Sequence, residues 1–281
     1  MGKSMARHLM KAGHAVSVFS RTRSRCEDFI AEGATWQDSV AGAAVGADMI
    51  ITMVGLPSDV EQVYFGEAGL LSAAEPGTIL IDMSTSRPDL AVRIHAEAAG
   101  RGLRALDAPV SGGDAGARDG TLSIMVGGDR SDFEAAVPVL AHMGTSIVHL
   151  GPAGSGQHCK MANQIAIAGA MLGVAEALAY TLRAGTLRAG LDPTEVLKAI
   201  GGGAASSHAL HAMWPKMVRE DFSPGFLVEH FIKDMTIAQD ESRSMGLDLE
   251  GLTLVRSLYE ALRDKGFGRS GTQALFRHYT P

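Results

Sequence analysis

Apolar and polar positions follow two distinct rhythms along this chain. Short runs rich in Val, Ile and Leu occur at residues 15–19, 48–54, 78–83, 104–106, 122–126 and 146–150. Amphipathic stretches lie between most of them, at 60–64, 88–99 and 131–142, and a further helical pattern over 4–12 closes at Gly13. Near-continuous apolar strands that alternate with helices predict a mainly parallel sheet covered on both faces. The rhythm changes after Gly151-Pro152-Ala153-Gly154. From Gln157 to about residue 184 the chain is a proline-free run of Ala, Met, Leu and Ile, and no strand pattern follows it. Helices are predicted near 193–200, 207–219, 226–245 and 251–265. Asp192-Pro193-Thr194-Glu195 opens one of them with an N-cap, a first-turn proline and an acid favoured by the helix dipole. The expected class is α/β: a doubly wound parallel sheet over 1–152, then an all-α domain over 153–281 that starts with a long interdomain helix.

Composition narrows the function classes. A length of 281 residues fits one large domain or two medium ones. With 46% hydrophobic and 20% charged residues, a sizeable core is expected and wholesale disorder is excluded. No stretch reaches the roughly 20 uncharged apolar residues of a membrane span, and no basic-then-apolar signal opens the chain, so no membrane partner and a cytoplasmic location are expected. The net charge of −6 without a basic block argues against a nucleic-acid surface. Cys26 and Cys159 lie far apart without ligand-like spacing, so neither a disulfide framework nor a metal site is expected. Residues 171–182 are apolar nearly all round, the mark of a buried helix. A small helical domain can hardly bury it alone, which predicts a homodimer or a homotetramer built as a dimer of dimers.

The opening of the chain carries a partial motif. In a dinucleotide-binding βαβ unit, a strand and two glycines precede the first helix. Here a helical pattern follows Met1-Gly2 at once, so Gly2 fits the last glycine of Gly-x-Gly-x-x-Gly, or else it opens an ordinary helix. The next strand ends at Phe19-Ser20-Arg21-Thr22, where such a unit sets its ribose-recognising residue, roughly 20 residues on. An acid there would bond the ribose 2′-hydroxyl, whereas Arg21 suits a 2′-phosphate; Ser20, Arg21 and Thr22 are the candidates. Arg23 and Arg25 add charge nearby, and the alternative is a solvated basic loop. The expected cofactor is NADP, with NAD as the second choice. A sheet without its central strand leaves backbone groups unpaired on two neighbours. The chain as given is therefore expected to fold less stably, or to bind dinucleotide more weakly, than one extended upstream.

Two further segments point to chemistry. The first is Asp107-Ala108-Pro109-Val110-Ser111-Gly112-Gly113, followed by Gly116. Adjacent glycines after a serine leave backbone N–H groups open to an anion such as a carboxylate, or they simply make a turn between strands. The second is Gly154-Ser155-Gly156-Gln157-His158-Cys159-Lys160-Met161-Ala162-Asn163. Lys160 and Asn163 share one face of a helix. A lysine in the first turns of an apolar interdomain helix is partly desolvated, which lowers its pKa and suits it to proton transfer; a surface lysine is the alternative. His158 lies two residues from Lys160 and should point away from it. Phe226 and Phe231 are read as core aromatics of the helical domain.

In this order and at this separation, the two segments resemble the β-hydroxyacid dehydrogenase family, which includes 3-hydroxyisobutyrate dehydrogenase and tartronate semialdehyde reductase. The resemblance covers essentially the whole chain, including Met53-Val54-Gly55-Leu56-Pro57, Asp82-Met83-Ser84-Thr85 and Lys233-Asp234. It implies a Rossmann-type sheet domain, and hydride transfer between NADP(H) and a small β-hydroxyacid or its semialdehyde. It implies that Ser111, Gly112 and Gly113 hold the substrate carboxylate, that Lys160 is the general acid/base, and that Asn163 orients substrate. Leu56, Pro57 and Thr85 would line the cofactor, and Lys233 would close over its nicotinamide end. The family opens with strand, Gly-x-Gly-x-x-Gly and helix, whereas this chain begins inside that motif.

Three competing readings keep the same residues. An imine reductase of this architecture usually lacks the lysine, so Lys160 counts against it. A 6-phosphogluconate-type enzyme would want an extra basic cluster in the helical domain, where Lys216 and Arg219 are thin support. A non-catalytic nucleotide-sensing or dimerising protein draws support only from the partial opening motif.

Overall fold

In the computed structural model, which describes residues 1–280, the strand Ile79–Asp82 is buried along its whole length. Successive side chains of a strand point to opposite faces, so one strand feeds two cores. Ile79 and Ile81 pack with Met5, Leu122 and Leu140, whereas Leu80 packs with Val60, Leu90 and Ile94. This two-sided burial is why the sequence runs apolar there instead of alternating.

Among the described residues eight strands form: β1 (Ser17–Val18), β2 (Thr35–Trp36), β3 (Met49–Thr52), β4 (Ile79–Asp82), β5 (Arg104–Asp107), β6 (Val110–Ser111), β7 (Leu122–Gly127) and β8 (Gly144–Gly151). The helices interleaved with them are α1 (Gly2–Lys11), α2 (Glu27–Ala31), α3 (Val40–Ala44), α4 (Pro57–Phe65), α5 (Leu70–Ala73), α6 (Pro88–Ala99), α7 (Gly113–Asp119) and α8 (Arg130–Leu140). The main sheet runs β3-β4-β5-β7-β6, with β8 beside β7. Pairs β3–β4, β4–β5 and β7–β8 are parallel, while β7 is antiparallel to β5 and β6. The sheet is thus mainly parallel, as expected, with an antiparallel joint that the apolar pattern does not reveal.

The expected strand over 15–19 shrinks to Ser17–Val18, which pairs in parallel with Thr35–Trp36 as a separate two-stranded sheet. Among the described residues β3 pairs with β4 alone. Both β2 and β6 are only two residues long. A period-2 pattern needs more residues than that to stand out.

The chain divides into two compact units, Met1–Lys160 and a second unit from Met161. The sequence boundary at 152/153 falls earlier, ahead of helix α9 (Ser155–Ala184), within which the division lies. The second unit continues with α10 (Pro193–Gly201), α11 (Trp214–Val218), α12 (Val228–Ser244) and α13 (Glu250–Leu262). Asp192 caps α10 as its sequence predicts, accepting from Thr194 N at 2.8 Å and Glu195 N at 3.1 Å. The helix expected over 207–219 forms over 208–218, with a widened turn at Ala209–Met213 running directly into α11. Pro215 lacks the N–H that a continuous ladder would use.

The core of this unit joins Met171, Val174, Ala175 and Leu178 of α9 to Trp214, Phe231, Met235 and Tyr259. Phe231 is a core aromatic, edge-to-face with Tyr259. On the other side of α9, Tyr180 is 74% exposed, and Leu187, just past its end, is 64% exposed. By length and composition, Ser155–Ala189 would suffice to cross a membrane, a property missed when only uncharged runs are counted. Its packed face is that of a core helix, and Glu176 on the exposed side accepts from Tyr279 Oη at 3.1 Å.

Candidate active site

Lys160 sits two turns into α9 and is buried. Its ammonium donates to the carbonyl of Val110 at 2.8 Å. That bond exists because the start of α9 is pinned to the end of β5. The Asp107 carboxylate accepts from Gly154 N through Oδ1 and from Gln157 N through Oδ2, both at 2.8 Å. These N–H groups belong to the helix start, where intrahelical acceptors are lacking. Burial pushes the Asp107 carboxyl upward, and the Gly154 and Gln157 amides oppose it. The approach is close enough to require glycine at 156: a Cβ there would lie 2.7 Å from Asp107 O and collide with Met125 O.

Val110 leads directly into Ser111, Gly112 and Gly113. Gly112 has φ of 130° and Gly113 of 62°, both in the left-handed region. A side chain at 112 would also press on Leu122 Cδ2 at 3.2 Å. Helix α7 starts at Gly113 with no side-chain cap. The predicted anion-binding turn and Lys160 are therefore brought together, within one residue of the same carbonyl.

The cofactor candidates gather at the carboxyl ends of the strands. The Asp82 carboxylate closes β4, accepting from Thr52 Oγ1 at 2.8 Å and Ser84 N at 3.1 Å. Ser84 Oγ in turn accepts from Val54 N at 2.9 Å, which ties the loop ahead of Leu56 and Pro57 to the loop holding Thr85. Burial raises the Asp82 pKa to about 6, although donors from Ser84 and Thr52 oppose the shift. Pro57 opens α4, and Asp59 accepts from Leu56 N at 3.2 Å. Arg21 reaches this same turn: Nη1 donates to Asp59 Oδ1 at 2.7 Å and Nη2 to Oδ2 at 3.3 Å. Ser20 and Thr22 flank it, Thr22 N lying 3.5 Å from Ser20 Oγ. Gly2 opens α1 beside the same region, since a Cβ on it would touch Met53 Cβ at 3.4 Å. The first turn of α1 has no acid and no side-chain cap. With the Arg21 guanidinium nearby, the charge and the open backbone donors fit the phosphates of a dinucleotide.

Asn163 lies on the next turn of α9, but its bonding belongs to the helical unit. Its Nδ2 donates to Gln164 Oε1 at 2.7 Å, and Gln164 Nε2 donates to Asp234 Oδ2 at 2.6 Å. Lys233 Nζ pairs with Asp234 Oδ1 at 2.9 Å. His158 is exposed, as its offset from Lys160 predicts.

Sequence reasoning missed four members of this arrangement. Asp59 carries no motif. Asp82 and Asp107 stand inside quoted motifs, yet their bonding depends on where the neighbouring chain lies. Gln157 is fully buried, and it reaches across to residues 84 and 86. Among Ser155, His158 and Lys160, one more polar side chain at the start of α9 gives no signal of its own.

Residues 1–151 match the family model of the NAD binding domain of 6-phosphogluconate dehydrogenase, and residues 154–279 match that of the NAD-binding domain of NADP-dependent 3-hydroxyisobutyrate dehydrogenase. An uncharacterised oxidoreductase of Bacillus subtilis is 52% identical over 99% of this chain and 94% of its own length. The 2-hydroxy-3-oxopropionate reductase of Escherichia coli is 35% identical over 98% of this chain and 92% of its own. Among solved structures, the 3-hydroxyisobutyrate dehydrogenase of Mycobacterium tuberculosis with L-serine superposes with a TM-score of 0.88 at 32% identity, covering 100% of this chain and 96% of that one.

Proposed function

The chain belongs to the β-hydroxyacid dehydrogenase family, and we propose that it interconverts a small β-hydroxyacid and its semialdehyde, with NADP(H) preferred to NAD(H). The observation that carries this reading is the bond from Lys160 Nζ to Val110 O, beside the left-handed Ser111-Gly112-Gly113 turn. A nicotinamide dinucleotide, when bound, supplies or accepts the hydride.

The chain's own residues do the rest. Ser111 and the amides of Gly112 and Gly113 bind the substrate carboxylate and so fix where the adjoining carbonyl lies. Lys160 as an ammonium donates a proton from Nζ to the developing alkoxide in reduction; as an amine it takes the hydroxyl proton in oxidation. Asn163, one turn on, orients the substrate, and Lys233 borders the nicotinamide end. Gly2, Leu56, Pro57 and Thr85 line the dinucleotide. Arg21, with Ser20 and Thr22 around it, receives the 2′-phosphate by charge-assisted bonds.

Relatives named for 3-hydroxyisobutyrate and 2-hydroxy-3-oxopropionate support a substrate of three or four carbons with one carboxylate. Two free cysteines, Cys26 and Cys159, are in keeping with a reducing, cytoplasmic setting. The exposed side of α9, with Tyr180 and Leu187 at its end, supports a homodimer or a dimer of dimers. The direct test is a screen of small semialdehyde acids against NADPH and NADH. Oxidation of NADPH by one of them is expected; no turnover with either cofactor would sink the reading.

A further inference from the structure

We infer that Gln157 is a positioning residue that locks the loop carrying Thr85 to the helix carrying Lys160. This rests on the reading above, in which Thr85 lines the cofactor and Lys160 transfers the proton.

The Gln157 side chain is 0% exposed, and both ends of its amide are used on one loop. Its Nε2 donates to Ser84 O at 2.8 Å, and its Oε1 accepts from Ser86 N at 2.9 Å. The two bonds bracket Thr85, as a neighbouring strand would. The backbone N–H of the same residue is held by Asp107 at 2.8 Å. Gln157 is thus fixed at three points, and Lys160 follows three residues later on the same helical face. Lys160 Nζ is anchored in turn on Val110 O.

A purely space-filling role does not need this residue. A methionine of similar volume would fill the site, yet it would leave a buried N–H and a buried C=O without partners. What the amide adds is a fixed distance between the Thr85 loop and the first turns of α9. Proton transfer and hydride transfer must occur at adjacent atoms of one substrate, and a misplacement of about 1 Å can cost roughly 100-fold in rate. The bracket therefore acts on the chemical step and not on affinity.

Two variants test this. Gln157→Met removes both bonds; Gln157→Glu keeps an acceptor for Ser86 N and sets an oxygen against Ser84 O. In protein shown to be folded by circular dichroism, kcat with a semialdehyde acid is expected to fall roughly 100-fold in Gln157→Met. The Kd for NADPH, read by fluorescence, is expected to change less than about threefold, and Gln157→Glu should lie between native and Gln157→Met. Hydrogen exchange at the Ser86 amide is expected to speed up by at least about tenfold in Gln157→Met. A kcat within threefold of native, or a loss confined to KM and NADPH affinity, would overturn the proposal, as would unchanged Ser86 exchange. If Gln157→Met does not fold, the same criteria apply to Gln157→Glu.

Failure of the functional reading itself looks different: the native chain would then turn over no semialdehyde acid with either cofactor. The bracket would be judged in that case on Ser86 exchange and on the rate at which Lys160 is reductively methylated. Native-like values of both in the variants would overturn it.

Discussion

Lys160 Nζ donates to Val110 O at 2.8 Å, which holds the ammonium one residue from Ser111. A donor fixed to a carbonyl keeps its direction, and the same carbonyl begins the Ser111-Gly112-Gly113 turn proposed to receive the substrate carboxylate. On that proposal, position and proton come from one short segment.

Replacing Lys160 by Ala should lower kcat by roughly 100- to 10,000-fold, the usual worth of a general acid or base. NADPH affinity should stay within about threefold, because the lost group acts on the alkoxide in the transition state. Steady-state kinetics beside cofactor fluorescence read the two separately. A Lys160→Ala protein that retains turnover near neutral pH would remove lysine from the mechanism.

Arg21 and Asp59 form a two-bond pair at the first turn of α4. A 2′-phosphate arriving there offers Arg21 a second, more highly charged partner. Arg21→Ser should weaken NADPH roughly 10- to 100-fold, the loss of one or two hydrogen bonds to a charged group. NADH affinity should hardly move. Should the ratio of the two affinities stay put, Arg21 serves only as a partner for Asp59.

Asp82 gives a pH signature. Burial raises its pKa in the folded protein to about 6, whereas in an unfolded chain it titrates near about 3.9. The folded state thus holds the proton through that window. The group's contribution to stability is present below about pH 4 and is lost as pH rises to about 6. Asp82→Asn keeps an oxygen for Thr52 and Ser84 but has no proton to lose. The melting-temperature difference, variant minus native, should therefore grow between pH 4 and pH 6 and then level off. At full titration it should correspond to roughly 2–3 kcal/mol. A difference independent of pH would show that Asp82 is not held neutral by burial.

The exposed side of α9 leads to a test of assembly. Sedimentation at micromolar concentration should show a dimer, or a dimer of dimers, of the 29.4 kDa chain. Observing only the monomer mass would mean that Tyr180 and Leu187 stand in solvent.

By itself the sequence determined the order of most elements and the residues proposed for the chemistry. β4 is buried on both faces and so reads as a continuous apolar run, and α10 carries its cap in Asp192-Pro193. The serine–glycine turn and the lysine helix are local motifs, whose residue types and spacing are legible without the fold. Tertiary structure decided what depends on chain segments far apart in sequence. The two-residue strands β1, β2 and β6 exist only because a partner strand lies alongside. Arg21 meets Asp59 across 38 positions, Asp107 meets Gln157 across 50, and Gln157 reaches Ser86 across 71. Such bonds leave no periodicity in the sequence, because hydrogen bonding depends on distance and direction in space. The residues proposed to do chemistry could be read from the chain; those that hold them in place could not.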